Sequence, residues 1–314
     1  MLSLIRLNLG REPKSVMAFG EVLWDQLPSG SMLGGAAANF ACLVQGLGVD
    51  CSLVSRLGSD PLGERARQAL AHLGLSSANV QSDPRAPTGT VAVHFDGGGH
   101  PCYDIKPQVA YDHIAATPAL LEQASQCSLL YFGTLAQRHK ISRDTLGQLI
   151  EAAPQAIKLL DINLRQDCYT AQTVTAALSR CDMLKLNESE AQELNALLRL
   201  GATTPEEFSE AVIERFNLDL CLVTCGPDGV FAQTNTGQIQ RVPGYPVTVH
   251  DTIGAGDAFT AGFVWSHLQG VSLRESCEVG VRCGALVAMQ QGGMVTLRPE
   301  QITCFPFASW LVPS

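Results

Sequence analysis

Short apolar runs of β-type residues alternate with amphipathic helical patterns along most of this chain. Strands that are apolar throughout must be covered on both faces, and intervening helices allow them to run parallel. The alternation therefore predicts an α/β fold of three layers, with helices on both faces of a mostly parallel sheet. The predicted strands are Val16–Gly20, Ser52–Ser55, Ser128–Phe132, Ile157–Ile162, Asp182–Leu186 and Asp219–Thr224. The predicted helices are Ala36–Leu47, Leu62–Leu73, Pro118–Gln126, Arg143–Ala153, Ser189–Leu200, Pro205–Phe216, Asp257–Leu268 and Leu273–Gln291.

Two segments, 21–33 and 88–111, interrupt this alternation because no helix separates their strands. The second contains Thr90–Phe95, three consecutive glycines and Pro101–Ile105, which is typical of a β-hairpin. We expect the two segments to form a small antiparallel sheet that projects from the main domain as a lid.

The composition favours one large folded unit that binds small molecules. The chain has 314 residues, 46% of them hydrophobic, and we expect a tail over residues 1–15 and a single domain over 16–314. Its net charge of −9 argues against a nucleic-acid partner, because that affinity comes from Lys and Arg at phosphates. ATP remains compatible with an acidic chain, because backbone N–H groups and Mg²⁺ determine the local field.

The cysteine usage and the hydropathy pattern favour a cytoplasmic location. The eleven cysteines include no C-x-x-C pair, so free thiols are expected rather than disulfides or zinc ligands. Basic residues interrupt residues 1–15 too often for a signal peptide, and no apolar stretch reaches the ~18 residues of a membrane span. The cysteines in apolar stretches, which we expect to be buried, are Cys42, Cys51, Cys127, Cys221 and Cys283.

The segment Asp251–Phe263 carries the strongest chemical signal. Gly254, Ala255 and Gly256 precede Asp257, at which a helical apolar pattern begins. Small residues before a helix leave backbone N–H groups open to an anion, most often a phosphate. Asp257 could accept a proton from a hydroxyl that attacks this phosphate, or it could simply cap the helix, which is worth roughly 1 kcal/mol.

A second glycine turn, Gly34–Gly35, opens a helix that contains Asn39. The glycines let a ligand approach the backbone, and an Asn side chain both donates and accepts hydrogen bonds, which suits a polyhydroxyl ligand. The alternative is a plain turn into a helix of small residues. Asp25 precedes this turn and could accept two sugar hydroxyls, although a solvated loop acid explains it equally well.

Polar residues also follow three predicted strands at their carboxyl ends, where α/β sheets bind ligands. Asp161–Arg165 follows the first of these strands. Asn187 and Glu190 follow the second, and they suit either a helix capping box or an ATP and Mg²⁺ site. Thr224–Gly229 follows the third and could contact a nucleotide through Thr224, Gly226 and Gly229, or form a turn between two strands.

Two common nucleotide motifs are missing from the chain. The sequence has no G-x-x-x-x-G-K-[ST], so a P-loop enzyme is excluded. Gly254-x-Gly256 lacks the third glycine of a dinucleotide fingerprint and occurs late in the chain, which disfavours hydride transfer.

The order of these motifs resembles the ribokinase-like sugar kinases of the PfkB carbohydrate kinase family. Gly34–Asn39 is similar to the family's amino-terminal signature, Asp251–Asp257 to its D-T-x-G-A-G-D signature, and Asn187-x-x-Glu190 to its N-x-x-E motif. The resemblance runs from about Val16 to the carboxy-terminal region. The phrases most similar to bacterial fructokinases are Gly20–Asp25, Phe132–Arg138 and Asp161–Gln166.

The resemblance implies a ribokinase-like sandwich with a β-sheet lid and an ATP-dependent sugar kinase, most similar to fructokinases. It implies that Asp257 is the base and that the N–H groups of Gly254, Ala255 and Gly256 stabilise the transferring phosphoryl group. It implies a nucleotide site at Asn187, Thr224, Gly226, Gly229 and Gly256. The residues implied to bind the sugar are Asp25, Gly34, Gly35, Asn39, Arg165 and Asp257.

The resemblance further implies Mg²⁺, held through water by Glu190, and a homodimer formed through the lid. Many relatives also bind K⁺ beside the anion-binding turn. The alternatives are a kinase for another acceptor (2-keto-3-deoxygluconate, ribose or a nucleoside) and a sugar-binding regulator without activity. The residues implied for K⁺ are Asp251, Ile253, Ala288, Gly292 and Thr296.

Overall fold

The computed structural model describes residues 14–27, 30–95, 101–165 and 167–305. Most of the predicted tail over residues 1–15, the predicted glycine turn at 97–99 and Gln166 therefore lie outside the described residues. The described part of the chain contains a nine-stranded sheet and a separate four-stranded sheet. The predicted α/β fold is confirmed.

Over the described ranges, thirteen strands form the two sheets. All six predicted strands are present, as β1, β4, β8, β9, β10 and β11, while β5, β12 and β13 of the main sheet were not predicted. The strands are β1 (Ser15–Phe19), β2 (Leu23–Leu27), β3 (Gly30–Gly34), β4 (Asp50–Gly58), β5 (Val80–Asp83), β6 (Gly89–Phe95), β7 (Pro101–Ile105), β8 (Leu129–Phe132), β9 (Ile157–Asp161), β10 (Met183–Asn187), β11 (Leu220–Thr224), β12 (Val230–Thr234) and β13 (Ile239–Val242).

Ten α-helices accompany the strands in the part of the chain that the structure describes. All eight predicted helices are present, and the unpredicted ones are the two short helices α5 and α10. The helices are α1 (Ala36–Gly46), α2 (Pro61–His72), α3 (Pro118–Gln126), α4 (Lys140–Ala152), α5 (Ala171–Leu178), α6 (Glu188–Leu198), α7 (Pro205–Phe216), α8 (Ala255–His267), α9 (Leu273–Ala288) and α10 (Pro299–Cys304).

The main sheet has the strand order β13-β12-β11-β10-β9-β8-β1-β4-β5. Neighbours from β11 through β5 run parallel, whereas β12 and β13 are antiparallel additions at one edge. The carboxyl ends of the parallel strands therefore meet at one edge of the sheet, which is where ligands bind in such folds.

Each face of the main sheet packs against its own set of helices. Along β1, Val16 and Ala18 belong to a core with α1, α2, α8 and α9, while Met17 and Phe19 belong to a core with α3 to α7. This alternation follows from the two-residue period of a strand. The five cysteines expected to be buried are free thiols inside these cores, as predicted. Among the described residues no helix has the length and apolar character needed to cross a bilayer.

The small sheet has the order β3-β2-β6-β7, and both of its hairpins lie in the two segments predicted to form a lid. The prediction that it is antiparallel is wrong in one respect, because β2 and β6 pair in parallel. Strand β2 follows β1, and β6 follows β5. Because β1 and β5 are parallel strands of the main sheet, the chain enters the small sheet from the same end of the main sheet both times. The indole Nε1 of Trp24 in β2 donates to the carbonyl of Leu62 at 3.0 Å, which attaches the lid to α2.

Helices α8 and α9 pack unusually closely at Gly262. A methyl group on this glycine would lie 2.5 Å from the Sγ of Cys283 and 3.1 Å from the carbonyl of Val279. We predict that Gly262→Ala lowers the free energy of unfolding by about 1–3 kcal/mol through overpacking. Urea denaturation followed by circular dichroism measures this effect.

Gly147→Ala in α4 is the matched control, because its methyl would meet only the movable end of the exposed Arg180 side chain. Alanine is favoured over glycine inside a helix by about 1 kcal/mol, so this variant should be as stable as the wild type or more stable. Equal destabilisation by both variants would contradict the close packing inferred at Gly262.

Candidate active site

Polar residues that were predicted from the sequence lie at the carboxyl ends of β9, β10 and β11, next to Lys185, which was not predicted. Asp161 pairs in register with Lys185, and Asn187 pairs in register with Thr224 on the neighbouring strand. The two pairs occupy successive register positions near this sheet edge, because Asn187 lies two residues beyond Lys185 on β10. That a ligand site lies at this edge stays a prediction.

The turn before α8 has the geometry of an anion-binding nest. Gly254 caps the helix with φ of 77°, and a methyl group on it would lie 2.4 Å from the Cα of Gly293. Within the described residues the N–H groups of Gly254 and Gly256 donate no hydrogen bond, which leaves them available to an anion. The N–H of Ala255 was also expected to be open to an anion, but it already donates to the carbonyl of Thr252 at 3.2 Å.

Asp257 lies in the first turn of α8 and is buried. The alternative that it caps the helix is wrong, because the helix begins at Ala255, before it, and Gly254 occupies the capping position. One carboxylate oxygen of Asp257 instead accepts a hydrogen bond of 2.8 Å from the Nδ2 of Asn39 in α1. The two glycine turns identified in the sequence thus meet through these two side chains.

The pKa of Asp257 is raised to about 7. Burial is the main cause, and the nearby negative charge of Asp161 adds to it. The positive charge of Lys185, the hydrogen bond from Asn39 and the charge of Arg165 act in the opposite direction. A carboxyl group with such a pKa can take up and release a proton near neutral pH.

A buried ion pair lies beneath the start of α8. The Nζ of Lys185 lies 3.0 Å from one carboxylate oxygen of Asp161, and the hydroxyl of Thr260 donates to the other at 2.9 Å. Burial alone would lower the pKa of Lys185, but the carboxylates of Asp161, Glu190 and Asp257 outweigh it and raise the pKa above its ordinary value. The cation therefore stays charged next to Gly256, whose missing side chain leaves room for it.

Lys185 and Thr260 were not selected from the sequence. Lys185 lies in the middle of an apolar strand, Met183–Asn187, and is almost fully buried. A charge at such a position must be paired or functional, because burying it alone is costly. That rule could have identified Lys185, whereas no sequence signal distinguishes Thr260 from other small residues of α8.

The Gly34–Asn39 turn depends on a carboxylate that the sequence reading did not select. The Oε1 of Glu21 accepts a hydrogen bond of 2.9 Å from the N–H of Ala36 and so caps α1 from a distant loop. Gly35 has φ of 112°, and a methyl group on it would lie 2.4 Å from the carbonyl oxygen of Glu21. The Oδ1 of Asn39 is buried and has no partner in the described residues, so it can accept a hydrogen bond from a ligand.

Asp25 and Arg165 lie on the same side of this turn. One carboxylate oxygen of Asp25 would lie 2.6 Å from a methyl group placed on Gly34. Burial raises the pKa of Asp25 to about 6, and the positive charge of Arg165 partly offsets this. Because Arg165 also lowers the pKa of Asp257, its guanidinium group lies within the field of both acids.

Asn187 and Glu190 form a capping box at the start of α6, which was the alternative to an ATP and Mg²⁺ site in the sequence analysis. The Oδ1 of Asn187 accepts from the N–H of Glu190 at 2.8 Å, and the Oε2 of Glu190 accepts from the N–H of Asn187 at 2.9 Å. The Oε1 of Glu190 accepts from the N–H of Leu164 at 3.0 Å. Among the described residues the Nδ2 of Asn187 donates no hydrogen bond, so this amide can donate to a ligand.

The turn after β11 gives its two glycines different environments. Thr224 ends β11 and its hydroxyl donates to the carbonyl of Leu186 at 3.3 Å. A methyl group on Gly226 would meet open space, whereas one on Gly229 would lie 2.0 Å from the carbonyl of Val242. Gly226 is thus accessible to a ligand, while Gly229 packs against the end of β13. The segment Thr224–Gly229 also forms the turn between β11 and β12, as the alternative to a nucleotide contact predicted.

Four of the residues expected to hold K⁺, Asp251, Ile253, Ala288 and Gly292, are joined by hydrogen bonds. The two carboxylate oxygens of Asp251 accept from the N–H groups of Ile253 and Gly292, each at 3.0 Å. The carbonyl of Ala288 accepts from the N–H groups of His250 and Asp251, so both of its lone pairs are occupied in this arrangement. Thr296 is exposed and lies beside Gly46 at the end of α1, and its part in a K⁺ site stays a prediction.

Comparison with known proteins identifies the family. The family model described as pfkB family carbohydrate kinase matches residues 29–300. The chain belongs to this family. Within the pfkB family, a fructokinase of Klebsiella pneumoniae is 29% identical over 300 residues, which cover 90% of this chain and 95% of that protein.

Solved structures of the same fold agree with this assignment. A fructokinase of Xylella fastidiosa with bound ATP superimposes with a TM-score of 0.81 at 24% identity, covering 93% of this chain and 98% of that one. A fructokinase double mutant of Vibrio cholerae O395, bound to fructose, ADP and potassium ion, gives 0.79 at 24% identity, covering 94% and 99%. The carbohydrate kinase family and the ribokinase-like fold are therefore established for this chain.

The raised pKa of Asp257 predicts a pH-dependent stability difference in this pfkB kinase. Its folded pKa of about 7 exceeds the ordinary value of 3.8, so its contribution to stability is present below about pH 4 and is lost as the pH rises to about 7. Asp257→Asn removes this titration. Denaturant unfolding at pH 5, 6, 7 and 8 should show the variant gaining stability relative to the wild type as the pH rises.

The expected gain is on the order of 1 kcal/mol per pH unit inside this window, because one pKa unit corresponds to about 1.4 kcal/mol. A constant difference between the two proteins from pH 5 to pH 8 would show that the pKa of Asp257 is not raised.

Proposed function

We propose that this pfkB kinase transfers the γ-phosphoryl group of ATP to a hydroxyl of fructose, giving fructose 6-phosphate. The contact between Asn39 and Asp257 carries the proposal, because it joins a turn suited to a polyhydroxyl ligand to a nest suited to a phosphate. The fructokinases of similar sequence and fold support the choice of acceptor.

In this proposal Asp257 is the general base. It accepts the proton of the attacking hydroxyl, and its pKa of about 7 matches that task near neutral pH. The N–H groups of Gly254 and Gly256 stabilise the negative charge on the oxygens of the transferring phosphoryl group. Ala255 contributes through the backbone shape of the turn, since its own N–H is occupied.

The proposed sugar site consists of Asp25, Gly34, Gly35, Asn39 and Arg165. Asp25 and the free Oδ1 of Asn39 accept sugar hydroxyls, the glycines allow close approach, and Arg165 donates to the sugar or to the phosphoryl group in transfer.

The proposed nucleotide site follows the ends of β10 and β11. The free amide of Asn187 donates to ATP phosphates, while Thr224 and Gly226 contact the nucleotide and Gly229 holds the turn. Glu190 suits an indirect role toward Mg²⁺, since both of its oxygens already accept backbone hydrogen bonds and can accept from a metal-bound water with their remaining lone pairs. Mg²⁺ would supply charge neutralisation of the phosphates.

Two further features belong to this proposal. Asp251 and the carbonyls near Ile253 and Gly292 offer the oxygen ligands that K⁺ prefers, while Ala288 would have to release a hydrogen bond, and Thr296 would have to approach. A homodimer through the lid would cover part of its small sheet. Exposed residues on the face opposite Asp25 include Gln26, Ser31 and Asp104, so such a contact would contain polar groups.

The alternatives are other acceptors (2-keto-3-deoxygluconate, ribose or a nucleoside) and a sugar-binding regulator without activity. A regulator would have no need for a base beside the anion nest, because binding alone requires no proton transfer. The buried Asp257 with its raised pKa therefore favours an enzyme.

Replacing the base should remove turnover and its pH dependence. We predict that Asp257→Asn lowers kcat by about 10²–10⁴ and leaves the affinity for ATP unchanged, because only proton transfer is lost. The wild-type kcat/KM should rise with pH through about 7 and then level off. Asp50→Asn, which changes an exposed acid at the opposite edge of the sheet, is the control and should keep wild-type turnover. Turnover of Asp257→Asn within threefold of the wild type would disprove the base assignment.

The acceptor is tested with a panel of fructose, ribose, 2-keto-3-deoxygluconate and a nucleoside. We predict that fructose has the highest kcat/KM when ATP consumption is coupled to product detection. If another acceptor exceeds fructose by tenfold or more, the fructokinase proposal is wrong while the kinase class stands. If no acceptor is phosphorylated, the regulator alternative replaces it.

A further inference from the structure

Arg138 joins three parts of the molecule that surround the sugar side of the site. Its side chain is mostly buried, at 13% exposure, and follows β8. Its Nε and NH2 donate to the two carboxylate oxygens of Asp112 at 2.7 and 2.9 Å, and NH2 also donates to the carbonyl of Lys106 at 2.7 Å. NH1 contacts the Sγ of Cys168 at 3.6 Å.

Each of these partners belongs to a different functional segment. Lys106 directly follows β7, where the lid returns to the main domain, and Asp112 lies in the short helix that follows. Cys168 ends the loop that carries Arg165, and its N–H donates to the carbonyl of Arg165 at 3.0 Å. Arg138 therefore connects the return segment of the lid to the Arg165 loop.

The Arg165 loop departs from regular strand and helix conformations. Asn163 and Asp167 both have positive φ, at 44° and 59°, a left-handed conformation that Asn and Asp adopt more readily than other side-chain residues. At the start of the loop the hydroxyl of Thr134 contacts the carbonyls of Ile162 and Asn163, at 2.7 and 3.2 Å. The chain segment from Thr134 to Arg138 thus contacts this loop on both sides of Arg165.

We propose that Arg138 is a positioning residue for the sugar site. It fixes the Arg165 loop and the lid's return segment in one arrangement. Arg165 therefore stays close to Asp25 and Asp257, the two acidic residues of the proposed sugar site. The inference rests on the proposed function for the identity of the acceptor. The bidentate pair with Asp112 suits this task, because a planar guanidinium group fixes direction as well as distance.

The chain contains a matched control in Arg56. This residue is also mostly buried, lies 2.9 Å from the buried Asp83, and donates to the carbonyl of His113 at 2.9 Å. It also contacts the short helix Ala110–His113 that contains Asp112, but within the described residues no hydrogen bond or ion pair joins it to the lid strands or the Arg165 loop. A substitution there reports the cost of breaking a buried ion pair away from the site.

The test compares Arg138→Met with Arg56→Met. In Arg138→Met the KM for fructose should rise about tenfold or more while the KM for ATP stays within about twofold, because only the sugar side loses its alignment. Arg56→Met should leave both constants near wild type. Hydrogen exchange of peptides that contain Arg165 or Lys106 should accelerate in Arg138→Met and not in Arg56→Met.

Arg138→Lys is a second, more conservative variant for the case in which Arg138→Met does not fold. It keeps the charge but loses the bidentate geometry, so the KM for fructose should still rise. Equal changes in both KM values, or equal exchange in the two Met variants, would overturn the proposal. If wild-type protein does not phosphorylate fructose, the proposed acceptor fails independently, and the exchange comparison alone decides whether Arg138 holds the Arg165 loop.

Discussion

The burial of one carboxylate, Asp257, against Asn39 is the constraint on which the site depends. A buried acid is costly unless it is hydrogen-bonded or paired, and Asn39 at 2.8 Å and the nearby Lys185 offset part of this cost, while burial still raises the pKa of Asp257 to about 7. Lys185 in turn requires Asp161, which lies 3.0 Å from its Nζ. The proton acceptor Asp257 therefore depends on the positive charge of Lys185, and Lys185 depends on the carboxylate of Asp161.

The fold supplies this arrangement through its topology. Parallel strands place Asp161, Lys185 and Asn187 at one edge of the sheet, and α1 and α8 pack together on the same face. Asn39 and Asp257 are far apart in sequence, and they meet because their helices share one core. The antiparallel strands β12 and β13 extend the sheet without adding another parallel carboxyl end to this edge.

The sequence predicts the main elements because their apolar periods are regular, and it predicts the site motifs because glycine turns and capping patterns are local. It does not predict β12 and β13, whose polar residues weaken the strand pattern, or the parallel pairing of β2 with β6, which depends on where the chain leaves the main sheet. Residues that act across the fold were also missed. Glu21 caps a helix fifteen positions further along the chain, and no local pattern indicates such a contact.

Gly292 and Gly293 show how closely the parts of the site are packed. A methyl group on Gly293 would lie 2.8 Å from the Nδ2 of Asn39 and 3.0 Å from the Cα of Gly254, while one on Gly292 would lie 2.1 Å from the end of Met32 in the lid. The N–H of Gly292 also donates to Asp251. Gly292 therefore lies between the lid and Asp251, and Gly293 lies between the amide of Asn39 and the anion-binding turn at Gly254. Any side chain larger than hydrogen at Gly293 would separate Asn39 from the turn on which Asp257 depends.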